Sequence, residues 1–136
     1  MVTSPIPRAV ETAEALGLTI DGVLPELALV PDSVQRVLDA FPPRSFADYV
    51  QLTRRRREMA EYARQQAELM RDQLVRVPDG GRLLLISHGA VIELGAAAAR
   101  PNDALGFGEP AGYVEGVRLT MDGDTWVRGE VLRLPP

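Results

Sequence analysis

Cysteine and lysine are both missing from this 136-residue sequence, and histidine occurs once, at His88. Without cysteine there is no disulfide framework and no thiolate metal site, and a lone histidine rules out a histidine metal pair. All fifteen basic residues are arginine, which removes Schiff-base and phosphate-loop lysine chemistry. There is no Gly-rich phosphate loop, and Ser87-His88-Gly89 does not match a serine nucleophile elbow. No apolar run has the length of a membrane span, and no charged-then-apolar leader opens the chain. The expectation is a cytoplasmic protein with no membrane partner, no metal and no cofactor. A net charge of −4 argues against a nucleic-acid partner. The densest basic run, Arg54 to Arg57, lies in a helical pattern followed by Glu58 and Glu61. It reads as a solvated face carrying the i,i+4 pairs Arg54/Glu58 and Arg57/Glu61.

What is present is an ordinary globular composition, 46% apolar and 25% charged. One domain over residues 1–136 can bury roughly two thirds of the surface its unfolded chain exposes. The most informative stretch runs from Leu83 to Ile92. An apolar run ends in Ser87, His88 and Gly89, and the pattern then changes to the 3.6 period of a helix. This describes a buried strand over 82–87 that delivers an imidazole to a helix N-terminus, where unpaired backbone N–H groups favour an anion.

A similar junction stands at the start of the chain. Val2-Thr3 is the end of a strand, Ser4 a suitable N-cap and Pro5 a suitable first helical residue, so a helix is expected over 5–16, with Arg8 in its first turns and Gly17 as its stop. Residues 18–20 and 26–30 lean towards strand, separated by an Asp21-Gly22 turn. Asp32 is a plausible cap for a short helix that Pro42-Pro43 ends. From Ser45 to Val77 the apolar spacing predicts the longest helix, stopped by Pro78-Asp79-Gly80-Gly81. A further helix runs from Ala90 to Arg100-Pro101, and a Gly/Pro-rich loop follows over 106–112. Alternating runs around Asp122-Gly123-Asp124 read as a β-hairpin. This order predicts an α/β fold, a three-layer α/β/α sandwich with a mostly parallel sheet and a C-terminal hairpin.

Singly, the chemical candidates are weak: a lone histidine is more often structural than catalytic, and Arg8 and Glu26 read as solvent-facing residues. Together they form a pattern. Ser4-Pro5-Ile6-Pro7-Arg8-Ala9-Val10-Glu11-Thr12-Ala13 resembles the Ser-Pro-x-x-Arg-Ala-x-x-Thr-Ala segment of the histidine phosphatase superfamily, the phosphoglycerate mutase-like proteins. Leu24-Pro25-Glu26 is similar to the Leu-x-Glu segment that follows in those proteins, and Leu84 to Gly89 matches their strand ending in Ser-His-Gly. The resemblance implies a phosphoglycerate mutase-like fold and phosphomonoester hydrolysis or transfer through a phosphohistidine. It assigns Arg8, His88 and Gly89 to phosphate binding, His88 also to the catalytic set as the charge-balancing second histidine, and Glu26 to proton donation. The ligand it implies is phosphate or a small phosphomonoester.

The family's nucleophile belongs to an Arg-His-Gly motif on a first strand that precedes the Ser-Pro segment. No Arg-His-Gly occurs in this sequence. The expectation is an N-terminally truncated member, inactive as a phosphatase because loss of a nucleophile costs orders of magnitude in rate. The alternative is a non-catalytic module that binds a phosphate ligand or a protein and dimerises. By the same resemblance the family's first strand lies between the Ser-His-Gly strand and the hairpin. Its absence predicts that the hairpin closes onto that strand, or that a second copy covers the gap in a homodimer.

Overall fold

β1 (Val2–Thr3) is the middle strand of a three-stranded parallel sheet in the computed structural model, which describes residues 1–136. It is flanked by β2 (Gly22–Val23) and β3 (Leu85–Ile86) in the order β2-β1-β3, with Val2 opposite both Gly22 and Leu85. Residues 1–4 are all buried, as the central strand of a parallel sheet should be. The strand expected over 82–87 is shorter than its apolar run because β1 offers only two ladder residues to pair with. The segment expected as strand over 26–30 instead begins in a single 3₁₀ turn, Pro25–Leu27, and the strand on that side falls at Gly22–Val23, overlapping the expected Asp21-Gly22 turn at Gly22. Residues 18–20 form no strand.

α1 (Pro7–Ala15) starts later than expected, and Ser4 does not cap it. The reason is Pro7: the residue before a proline is pushed out of the helical region, and Ile6 is extended, with φ −65° and ψ 134°. α2 (Asp32–Ala40) follows, with Pro31 rather than Asp32 at its cap position. The long helix expected from Ser45 to Val77 is two helices, α3 (Phe46–Arg55) and α4 (Arg57–Leu74). Ser45 does cap α3, accepting from Asp48 N–H at 3.0 Å. The break falls at Arg56, which is extended (φ −125°, ψ 121°) and places its guanidinium over the Phe41 ring at 5.0 Å. The cation–π contact favours the kink. The break removes the Arg54/Glu58 pair; Arg57 and Glu61 do meet at 3.2 Å, on an exposed surface where such a pair contributes little.

The largest core is helical. Val34, Val37 and Leu38 of α2, Tyr49 of α3, and Met59, Tyr62 and Ala63 of α4 pack around Leu94 of α5 (Val91–Ala99). α5 can approach α4 closely because Gly95 faces it: a Cβ there would lie 2.8 Å from Met70 Cε. A second cluster links Phe46 and Val50 of α3 to Ala96 and Ala97 of α5 and Ala104 of α6 (Pro101–Ala104). Phe46 meets Phe107 edge-on at 5.2 Å, and Val117 and Val131 carry this cluster onto the hairpin of β4 (Gly116–Asp122) and β5 (Thr125–Leu132).

The fold is thus mixed α/β, with a parallel three-stranded sheet and a separate C-terminal antiparallel hairpin. The hairpin forms as its Asp-Gly turn predicts, with Gly123 at φ +64°. It does not close onto β3, contrary to one of the two expected repairs. Val2 N–H donates to Leu84 O and Ser4 N–H to Ile86 O, both at 2.9 Å. Residues 84 and 86 therefore face β1, and strand alternation turns the N–H and C=O of Leu85 towards the other side, where no strand lies. No helix is long and apolar enough to cross a membrane.

Candidate functional site

The parallel pairing of β1 and β3 brings the two strand-to-helix junctions side by side. Their point of contact is a hydrogen bond of 2.7 Å between Ser4 Oγ and His88 Nε2, two residues 84 positions apart in the chain. Ser4 is wholly buried. Its N–H is committed to Ile86 O, its carbonyl accepts from Thr3 Oγ1 at 3.1 Å, and its Oγ accepts from Ile6 N–H at 3.2 Å. His88 is half-buried. Burial lowers its pKa, and the positive charge of nearby Arg8 lowers it further. A neutral imidazole close to a guanidinium, at the C-terminal ends of adjacent parallel strands, is a setting in which ligands of open α/β sheets bind.

Three of the four residues singled out in the sequence are therefore brought together: Arg8, exposed on the first turn of α1, His88, and Gly89, exposed in the turn before α5. Glu26 is positioned less directly. Ser87 Oγ donates to Leu27 O at 2.6 Å, and Gln66 Nε2 of α4 donates to Glu26 O at 3.2 Å. These bonds fix the 3₁₀ turn against the end of β3. The Glu26 side chain is exposed and its carboxylate makes no hydrogen bond within the protein. Two surface depressions, of about 420 and 340 Å3, are lined by none of these four residues.

Sequence reasoning assigned Ser4 to a helix cap and so missed its contact with His88; no local signal betrays a bond between residues so distant in the chain. It also passed over Glu93. This carboxylate is wholly buried in the first turn of α5, with Oε1 accepting from Ala111 N–H at 3.0 Å and Oε2 without a partner. Burial raises its pKa, while the backbone N–H groups of Glu93, Ala111 and Ala90 and the charge of Arg133 act in the opposite direction. The signal was available: Glu93 is the one charged residue in Val91–Ala99. Between His88 and Glu93, Ala90 adopts φ 70° and ψ −48°, a region costly for any residue with a Cβ. No group of three or more histidine, cysteine or acidic side chains is arranged to hold a metal ion. Comparison with family models, curated proteins and solved structures returns no match to this chain.

Proposed function

We propose that this chain is a histidine phosphatase-like, phosphoglycerate mutase-like protein that binds phosphate or a small phosphomonoester at the junction of β1 and β3, without turning it over. The observation that supports the reading is the convergence of the two motifs that suggested it, through the 2.7 Å contact between Ser4 and His88 beside Arg8. Arg8 would supply a bidentate, charge-assisted grip on two phosphoryl oxygens. His88 and the backbone N–H of Gly89 would supply further donors, and Glu26, the proton donor of the resemblance, would have no leaving oxygen to protonate in a chain that only binds. The chain holds no second histidine to act as nucleophile, so binding rather than hydrolysis is its expected activity.

The lone histidine makes the test direct. Inorganic phosphate and phenyl phosphate should each shift the His88 ring resonances in a saturable titration, and Arg8→Ala should weaken binding by roughly tenfold or more, the value of a charge-assisted hydrogen bond of about 1.5–3 kcal/mol. No hydrolysis of phenyl phosphate should be detected. Failure of phosphate to shift His88, or hydrolysis of phenyl phosphate by the wild-type chain, overturns the reading.

A second reading, a dimerising binding module, is favoured by the free N–H and C=O of Leu85 at the β3 edge, an arrangement that invites pairing. Sedimentation would show a concentration-dependent homodimer under this reading and a monomer at all concentrations without it.

A further inference from the structure

Ser4 is more completely engaged than a turn residue requires. Its N–H, C=O and Oγ are all hydrogen-bonded, and it has no exposed surface. The Oγ has one proton to give. The oxygen accepts from Ile6 N–H, and Nε2 is the one acceptor within reach of the hydroxyl proton, which would otherwise be buried without a partner; this favours donation to His88 Nε2. An imidazole nitrogen that accepts cannot carry a proton, so the neutral ring must hold its proton on Nδ1. Nδ1 makes no hydrogen bond within the protein.

We propose that Ser4 is the positioning residue of this site: its hydroxyl donates to His88 Nε2, fixes the neutral ring as the Nδ1–H tautomer and leaves Nδ1–H as the donor for a phosphoryl oxygen. The last step rests on the phosphate-binding reading; the tautomer does not. Ile6 takes part through its backbone alone. Ile6 precedes the first helical residue, so its N–H has no intrahelical carbonyl to reach and donates to Ser4 Oγ across Pro5. Burial and Arg8 hold the ring neutral, the state in which a tautomer is defined at all.

The experiment is nitrogen-15 NMR of the single histidine in the full chain above the His88 pKa. The wild-type ring should show a protonated Nδ1 and a bare Nε2. Ser4→Ala, which removes the donor, should move proton density to Nε2 and bring the two nitrogen resonances towards those of a free imidazole. Inorganic phosphate should then perturb Nδ1 more than Nε2 in the wild type. A wild-type ring protonated on Nε2 overturns the proposal, and that measurement decides even where Ser4→Ala does not fold. A folded Ser4→Ala with an unchanged nitrogen pattern also overturns it. The expected tautomer with no response to phosphate supports the role of Ser4 and overturns the phosphate-binding reading instead.

Discussion

The two junctions that meet at Ser4 and His88 are built in opposite ways. Between β1 and α1 the chain is set by Pro5 and Pro7, its backbone angles are relaxed, and its polar groups are satisfied. Between β3 and α5 it carries a left-handed alanine, a half-buried histidine and, one turn later, a buried carboxylate with an orphaned oxygen. The helices differ in the same sense. α1 buries only Ala9 and Ala13, whereas α5 buries Val91, Glu93, Leu94 and three small residues between α3 and α4. A relaxed, peripheral junction thus supports a strained one anchored in the core. Backbone strain of this kind persists only where the surroundings over-determine it.

The largest expected effect tests the difference in anchoring. Leu94→Ala should destabilise the protein by roughly 2–5 kcal/mol, the range for a fully buried leucine. Val10→Ala, on the half-buried face of α1, should cost below about 1 kcal/mol. Urea unfolding of both variants measures the contrast, and equal losses would erase it.

Next comes the buried carboxylate. Burial raises the folded-state pKa of Glu93, so the folded chain binds this proton more readily than the unfolded one. Its contribution to stability is therefore complete below the ordinary carboxylate pKa and is lost as pH rises through the raised folded value. Glu93→Gln keeps the acceptor for Ala111 and removes the charge. It should stabilise the protein on the order of 1–3 kcal/mol at pH 7, and the gain should vanish on acidification; thermal melts at two pH values check both.

Ala90→Gly should relieve the strained φ and add about 1 kcal/mol of stability, after allowance for the greater freedom of glycine in the unfolded chain. A loss of stability at this position would show that the alanine is not strained in solution. The smallest effect is electrostatic. Arg8→Ala should raise the pKa of His88 towards its ordinary value, read from the ring resonance against pH. A histidine with a lowered folded-state pKa contributes stability that is lost as pH falls below its unfolded value, so this variant should also flatten that acid limb.

Much of this arrangement was legible in the sequence because its determinants are local. The amphipathic spacing from Asp32, the Ser45 cap, the Asp-Gly hairpin and the switch from strand to helix around His88 each rest on neighbouring residues, and each appears where expected. The parts that differed depend on contacts between distant residues or on competing local rules. Arg56 breaks a continuous helical pattern to lie on Phe41, and Pro7 overrides the cap suggested by Ser4-Pro5. Strand lengths near β1 follow from what its two ladder residues can pair with, not from apolar runs. At the site, Arg8, His88 and Gly89 each stand at a strand-to-helix junction that the local pattern marks, whereas the bond from Ser4 to His88 exists only once β1 and β3 are adjacent.

The 84-residue separation between those two partners also sets an order of events. Most of the core joins helices that are near neighbours in sequence, which favours early collapse of α2 to α5, while docking β1 against β3 must close the longest loop in the molecule. The short three-stranded ladder has few bonds to resist reopening, which places the N-terminal segment at the low-stability end of local unfolding. A ligand that bridges Arg8 and His88 would bind only the closed form and hold it by mass action. Protection of residues 1–16 from proteolysis would then report occupancy of the site without any measurement of chemistry.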